Sequence, residues 1–318
     1  MLLAQAITTP LVIPHEPYVP ETSPEVEAVL QRVVAQNDPR ALRELKPLAD
    51  AGDESALALI GEINLGGLFG QARNPQVACN YVARVKSGRP DALHNLANCF
   101  QFGEGMSRDL VRARALYRRA AEGGFRQSIC AYGNMLVSGE GGPADIPEGL
   151  RLCRYSAVAG DPNAQTDYGG YLLAGVGGER NPVTARFMFE QAVQKKQRNA
   201  AFLLAQIYQR GDGVEPSEAR AREFYTKAYE WGRPDAAHQV ALSHVRTGYS
   251  QNDGQTYVTA SELEKAVEWL SISAQVHPDQ AIRNQAAELT RNLDVLIKAA
   301  KASDAAQSAA DGASPKGS

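Results

Sequence analysis

Apolar residues recur along most of this chain at helical spacing. Ala200, Leu203, Leu204, Ile207 and Tyr208 form one such run and Ala113, Leu116, Tyr117 and Ala120 another, each marking a helix with a single buried face. The runs are separated by glycines that keep a fixed step. Gly67, Gly103, Gly139, Gly175 and Gly211 lie 36 residues apart, and Gly105, Gly141, Gly177 and Gly213 follow the last four of them two positions later. A second row, Gly52, Gly88, Gly124, Gly160 and Gly232, keeps the same step, with Lys196 standing where a glycine is due. The pattern predicts two helices per unit, one kind of tight turn inside each unit and another kind between units.

Equivalent positions carry equivalent side chains. First helices repeat Ala56, Ala92, Ala164, Ala200 and Ala236 at one place and Ile60, Leu96, Tyr132, Tyr168, Leu204 and Val240 at another. Second helices repeat Ala113, Ala185 and Ala221, then Tyr81, Tyr117, Cys153, Phe189 and Tyr225. Small residues at fixed places let backbones approach, and one large side chain per hairpin fills the wedge between layers. Asp109, Asp145, Asn181 and Ser217 follow the Gly-x-Gly turns at the same step; side chains of this kind cap helix N-termini. Pro182, directly after Asn181, suits the first helical position.

Read together, these positions give the pattern A-x3-L-[GA]-x5-G-x-G-x3-[DN]-x3-A-x3-[YF]-x2-A-x3-G, which Ala92–Gly124 and Ala200–Gly232 follow closely. It resembles the Sel-1-like repeat family of the tetratricopeptide-like superfamily. The resemblance implies an all-α fold, a right-handed α-solenoid of stacked helix-turn-helix repeats, and a non-enzymatic scaffold or adaptor for protein–protein interactions. It also implies that first helices line a concave face where a partner sits. The register places Asp91, His94, Asn98, Gln101, Gln127, Asn134, Asn163, Thr166, Phe202 and Gln206 there. This row is rich in amides, which donate to and accept from an extended peptide backbone at once; a merely solvated polar face is the alternative.

The ends depart from the ruler. Residues 1–23 read as an arm punctuated by Pro10, Pro14, Pro17 and Pro20, expected to be extended. A degenerate first unit over 24–52 precedes repeats at 53–88, 89–124, 125–160, 161–196, 197–232 and 233–277. In the last repeat the second helix arrives nine residues late, at Lys265-Ala266, so a longer inter-helix loop is expected around Gln251 to Thr259. Ile282, Ala286, Leu289, Leu293 and Leu296 predict a C-terminal capping helix over 278–301. The Ala/Ser/Asp/Gly-rich residues 302–318 are expected to be disordered.

Composition narrows the chemistry. With 318 residues, 44% hydrophobic, 22% charged and a net charge of -3, this is a soluble repeat protein without the basic field of a dedicated nucleic-acid binder. No apolar run approaches the ~20 residues of a membrane span. HExxH, Walker, G-x-S-x-G and CxxC motifs are absent, so no catalytic residue, cofactor or metal is expected; a chance carboxylate pair such as Asp167 with Glu190 is the enzyme option. Arg112, Arg114, Arg118 and Arg119, with Arg108 and Arg126 nearby, form a stripe that would suit an acidic partner or serve as solvated armour. By the register Cys79 lies level with Cys99 and Cys130 with Cys153, leaving two alternatives, disulfides or buried free thiols. Met1-Leu2-Leu3-Ala4-Gln5-Ala6 ends in the A-x-A pattern of a signal-peptide cleavage site. A periplasmic or secreted location is therefore preferred to a cytoplasmic one, and a periplasmic or secreted receptor for peptide or glycan chains stands as the second functional reading.

Overall fold

A computed structural model describes residues 10–252 and 255–312. Helix α1 (Pro24–Ala35) is followed by a 3-10 turn (Pro39–Glu44) and the short α2 (Leu45–Asp50). Paired helices follow: α3 (Glu54–Gly66) with α4 (Pro75–Val82), α5 (Pro90–Phe102) with α6 (Leu110–Glu122), and α7 (Arg126–Ser138) with α8 (Ile146–Val158). Next come α9 (Pro162–Ala174), α10 (Pro182–Gln194), α11 (Arg198–Arg210) with α12 (Glu218–Glu230), and α13 (Ala236–Gly248) with α14 (Ala260–Val276); α15 (Gln280–Gly312) closes the series. The described residues form two compact units, one running through Tyr171 with Val176–Gly178, the other taking Leu172–Gly175 and all residues from Glu179. Helices α3 to α8 pack consecutively in the first and α10 to α15 in the second. The fold is the all-α stack of helical hairpins that the periodicity predicts.

Three local devices set the turn inside each repeat. Gly103, Gly139 and Gly211 end the first helix in the left-handed conformation, which costs a residue without Cβ nothing. Asn74, Asp109, Asp145, Asn181 and Ser217 then cap the second helix, each side chain accepting from the N–H three residues on, worth about 1 kcal/mol apiece. Their own N–H groups donate back to the carbonyls of Asn64, Phe100, Leu136, Leu172 and Tyr208. The third device is the second glycine of the turn. At Gly105 an added Cβ would stand 2.6 Å from the Pro75 carbonyl oxygen, and at Gly141 closer still to that of Leu110. These two turns thus rest on the first residue of the preceding repeat's second helix, and a side chain there has no room.

Between the two glycines sits an acid that reaches back one repeat. Glu104 pairs with Arg73, Glu140 with Arg108 at 3.4 Å and Asp212 with Arg180 at 3.2 Å, while Val176 fills the equivalent place in the remaining turn. These pairs are exposed and contribute at most about 1 kcal/mol each. Burial contributes more: Tyr117 and Tyr225 are each 1% exposed and Phe189 is fully enclosed, roughly 1.5–3 kcal/mol per side chain. Register therefore rests on packing and bare backbone, with charge as a supplement.

Helices α7 and α8 approach most closely through glycine on both sides. A Cβ on Gly133 would meet the Gly149 oxygen at 2.8 Å, and one on Gly149 would meet the Gly133 oxygen at 2.5 Å. Cys130 and Cys153 are bonded across this seam with Cα atoms 4.2 Å apart, and Cys79 and Cys99 are bonded between α4 and α5 with Cα atoms 5.9 Å apart. In the second unit, a polar knot ties α12, α13 and α14. The Glu262 carboxylate accepts from Arg222 at 2.8 Å, Thr247 at 3.0 Å and Lys265 at 2.7 Å, with His244 Nδ1 2.9 Å away.

The structure differs from the sequence reading at both ends. The late second helix is preceded by an antiparallel hairpin, β1 (Tyr249–Asn252) with β2 (Gln255–Val258), in place of an irregular loop. Asp253-Gly254 between two short β-prone runs was the available signal. The last helix continues to Gly312, beyond residue 301, because alanine-rich sequence favours helix even where it has no core to bury. The A-x-A segment at Met1–Ala6 and the residues after Gly312 lie outside the described residues. From residue 10 on, the proline-rich arm is not helical and lies along the first unit: Tyr18 donates its N–H to the Gly124 carbonyl at 2.9 Å and Leu11 is 4% exposed.

Candidate peptide-binding face

First helices of the first unit supply a row of half-buried polar groups. On α5, Asn98 Oδ1 lies 2.6 Å and Gln101 Oε1 2.8 Å from the Tyr117 hydroxyl. The single phenolic proton is given to one of these two amide oxygens at a time. In the second unit the Tyr225 hydroxyl donates to Gln209 Oε1 at 3.1 Å, the same arrangement three repeats on. Amides thus satisfy the buried tyrosines of these two hairpins, and burial pushes both phenols up.

On α7, Asn134 is spent on both sides. Its Nδ2 donates to Asp167 Oδ2 at 2.6 Å and its Oδ1 accepts from the Tyr171 hydroxyl at 2.8 Å, with Cys153 Sγ of the disulfide 3.2 Å from the same oxygen. Asp167 has no cation bound to it among the described residues; desolvation pushes its carboxyl up, against the Asn134 hydrogen bond that lowers it. Glu62 on α3 is open to solvent and likewise has no ion pair among the described residues; partial desolvation and the nearby Asp91 push it up. A carboxylate accepts several hydrogen bonds and donates none. This face therefore offers acceptors whose natural complement is an N–H donor or a cation.

Several residues that the register put on the partner face are engaged elsewhere. Asp91 is clasped by Arg89 at 2.8 Å and 3.0 Å and by the Tyr18 hydroxyl of the arm at 3.3 Å. The His94 ring sits against Tyr117 and Phe125 with Nδ1 2.8 Å from Ser128 Oγ, and burial holds it down to about 4. Thr166 is buried and donates to the Pro162 carbonyl at 2.7 Å. Phe202 is buried, packs on Tyr225 with ring centroids 5.1 Å apart, and carries Arg233 3.7 Å above its ring. His94, Cys130 and Phe202 share one geometric reason: they occupy one equivalent place, which faces the large residue of its own hairpin's second helix. The pairs His94–Tyr117 and Phe202–Tyr225 are ring contacts; Cys130–Cys153 is the same pair as a disulfide. Gln127 and Asn163 are exposed and Gln206 is half-buried, with Gln206 in the second unit.

The arginine stripe also changes. Arg114 is 4% exposed and donates to the carbonyls of Glu140 at 3.4 Å and Pro143 at 2.8 Å in the next turn, so it is an interior strut. Arg112 pairs with Asp109 at 3.2 Å and Arg118 with Glu122 at 2.8 Å, while exposed Arg119 has no such pair among the described residues. Of the two carboxylates of the enzyme option, Asp167 in the first unit binds Asn134 and Glu190 in the second lies 3.8 Å from Arg186. Among the described residues no group of three His, Cys, Asp or Glu side chains is placed to hold a metal ion, and no helix is long and apolar enough to cross a membrane. Sequence reasoning missed Tyr171 and Glu62, and their helices carry several other polar residues that gave no signal to single them out.

The comparisons agree with this architecture. The Sel1 repeat signature matches residues 90–125, 127–161, 162–196, 198–230 and 235–275. Among curated proteins none matches significantly in sequence. A solved Sel1 repeat protein from Oxalobacter formigenes is similar with a TM-score of 0.59 and 23% identity, the match covering 81% of this chain and 100% of that one. A protective antigen of uropathogenic Escherichia coli displaying an SLR fold is similar with a TM-score of 0.52 and 21% identity, covering 79% of this chain and 52% of that one. With repeats matched over more than half of its length, the chain belongs to the Sel1 repeat family.

Proposed function

We propose that this chain is a non-enzymatic adaptor that holds an extended segment of a partner protein against the first helices of its first unit. Sel1 repeat proteins typically mediate protein–protein interaction, and the fold is generally a non-catalytic scaffold. The observation that carries the finer reading is the Asp167 carboxyl, which the fold leaves without a cation among the described residues beside the Asn134–Tyr171 cluster. Desolvated acceptors cost stability unless something supplies donors. A segment presenting backbone N–H groups and a Lys or Arg side chain meets that need. Gln127 and Asn163 are exposed amides on the same two helices, α7 and α9.

Selection from a random peptide library on the immobilised protein tests this. Basic segments are expected to be enriched, and substituting Asp167→Asn with Asn134→Ala is expected to weaken them at least tenfold. Selected peptides that bind the double variant as tightly as the parent would refute the assignment.

The two bonded cysteine pairs support an oxidising compartment. They favour the second reading, a periplasmic or secreted receptor for peptide or glycan chains. Thiol titration of the denatured, unreduced protein should find no free thiol; four would remove this support.

A further inference from the structure

The proline-rich arm is held by a set of contacts on the second-helix side of the first unit that has the form of a peptide-recognition site. At Leu11 one residue is read three ways. Its N–H donates to Glu148 Oε1 at 3.0 Å, its carbonyl accepts from Arg151 Nη2 at 2.9 Å, and its side chain joins the apolar cluster of Ala113, Tyr117, Ile129 and Leu152. Glu148 and Arg151 are themselves joined by two hydrogen bonds, 2.6 Å and 2.8 Å, so donor and acceptor are fixed as one clamp on α8. Ile13 packs on the same cluster, while Val12 between them is 83% exposed. This alternation is that of an extended chain read on one face.

A second anchor lies where the arm crosses Gly124. Tyr18 donates its N–H to the Gly124 carbonyl at 2.9 Å, its ring meets Phe125 edge-on, and its hydroxyl reaches Asp91. A Cβ at Gly124 would stand 2.9 Å from the Tyr18 nitrogen, so here the chain passes over bare backbone. Gly52, in the same row, has nothing within 4 Å. Between the two anchors the arm bends at His15-Glu16. Farther on, Arg89 donates to the Glu21 carbonyl at 2.9 Å and Ser23 donates its N–H to Ser55 at 3.0 Å.

We propose that the Glu148–Arg151 clamp, its apolar pocket and the Gly124 crossing form a second peptide site. Its ligand is an extended segment carrying an apolar residue, a spacer, an apolar residue followed by proline, and an aromatic residue four positions beyond that proline. The arm, as Leu11-Val12-Ile13-Pro14 with Tyr18, is its resident occupant. The assignment rests on α8 and the inter-repeat turn and does not depend on the first-helix reading above. Tethered at Ser23, the arm competes at an effective concentration on the order of millimolar. With an intrinsic dissociation constant of about 10 µM for the arm's own segment, a partner segment is weakened on the order of 100-fold until the arm leaves.

A fluorescent peptide of residues 10–23, titrated into the full chain, tests this. It should bind the Leu11→Asp variant, whose own arm is released, on the order of 100-fold more tightly than the parent. Adding Glu148→Gln and Arg151→Met to that variant should abolish the gain, and far-UV circular dichroism checks that both remain folded. A Leu11→Asp chain whose arm has become protease-sensitive but which binds no better than the parent would overturn the site. A readout needing no variant is amide exchange in the parent: Leu11 and Tyr18 should be protected and lose protection under saturating peptide, and unchanged protection would also overturn it.

Discussion

Replacing Gly141 by alanine isolates the device that sets the repeat step. The residue sits at φ 72°, where an L side chain costs roughly 1–2 kcal/mol. The added Cβ would also fall well inside 3.0 Å of the Leu110 carbonyl oxygen, and backbone cannot swing aside as a side-chain tip can. Overpacking of this kind costs about 1–3 kcal/mol. The two terms give about 2–5 kcal/mol, at the interface between adjacent repeats where a stack is held only by its neighbours. Gly70→Ala is the matched control, since φ is 73° but nothing lies within 4 Å; it should lose only the first term. Urea unfolding followed by far-UV circular dichroism compares the two directly. If Gly141→Ala falls within about 0.5 kcal/mol of Gly70→Ala, the resting of each turn on the previous helix is not what the second glycine is for.

Three further outcomes follow from the charged and polar groups. Burial holds His94 down to about 4, below its unfolded value near 6.5, so the unfolded chain binds a proton over that window that the folded chain refuses. Stability should therefore fall by about 3 kcal/mol as pH drops from 6.5 to 4, and His94→Gln should flatten that slope in pH-dependent unfolding. Lys265 first, then His244, hold Glu262 well below the carboxylate range. Its contribution is present above an unfolded value near 4.3 and is lost as pH falls through the lower folded one. Glu262→Gln should cost about 1–3 kcal/mol at pH 7, seen as earlier unfolding of the second unit. Asp167 has the opposite sign, its carboxyl pushed up by desolvation. Asp167→Asn should raise the unfolding midpoint at neutral pH, and the gain should fade in acid, while an unchanged midpoint would mean the carboxylate is well solvated.

What the sequence revealed and what it concealed divide along physical lines. Paired helices, the capping row from Asp109 to Ser217 and the first glycine of each turn are local events, fixed by residues three to four apart, and so appear directly in the repeat. The second glycine appeared as a conserved step but without its cause, because its neighbour, such as Leu110 for Gly141, belongs to another repeat. Facing was the weak point. A helix with a wide apolar stripe gives no sharp edge, and His94 and Phe202, assigned outward, turned to Tyr117 and Tyr225. The Cys130–Cys153 pair occupies that same place and was the clue to it. The arm's course was illegible because proline-rich sequence specifies extension without direction; only the Glu148–Arg151 pair on α8 and the bare Gly124 give it a path.

The claim on which the functional account turns is that a partner segment lies along α5, α7 and the start of α9. Hydrogen–deuterium exchange of the full chain, with and without a basic segment recovered by selection, measures this most directly. Slowed exchange concentrated in those first helices, around Asn98, Asn134 and Asp167, is the predicted result. Protection confined to the second helices, or to the second unit beyond Glu179, would contradict it.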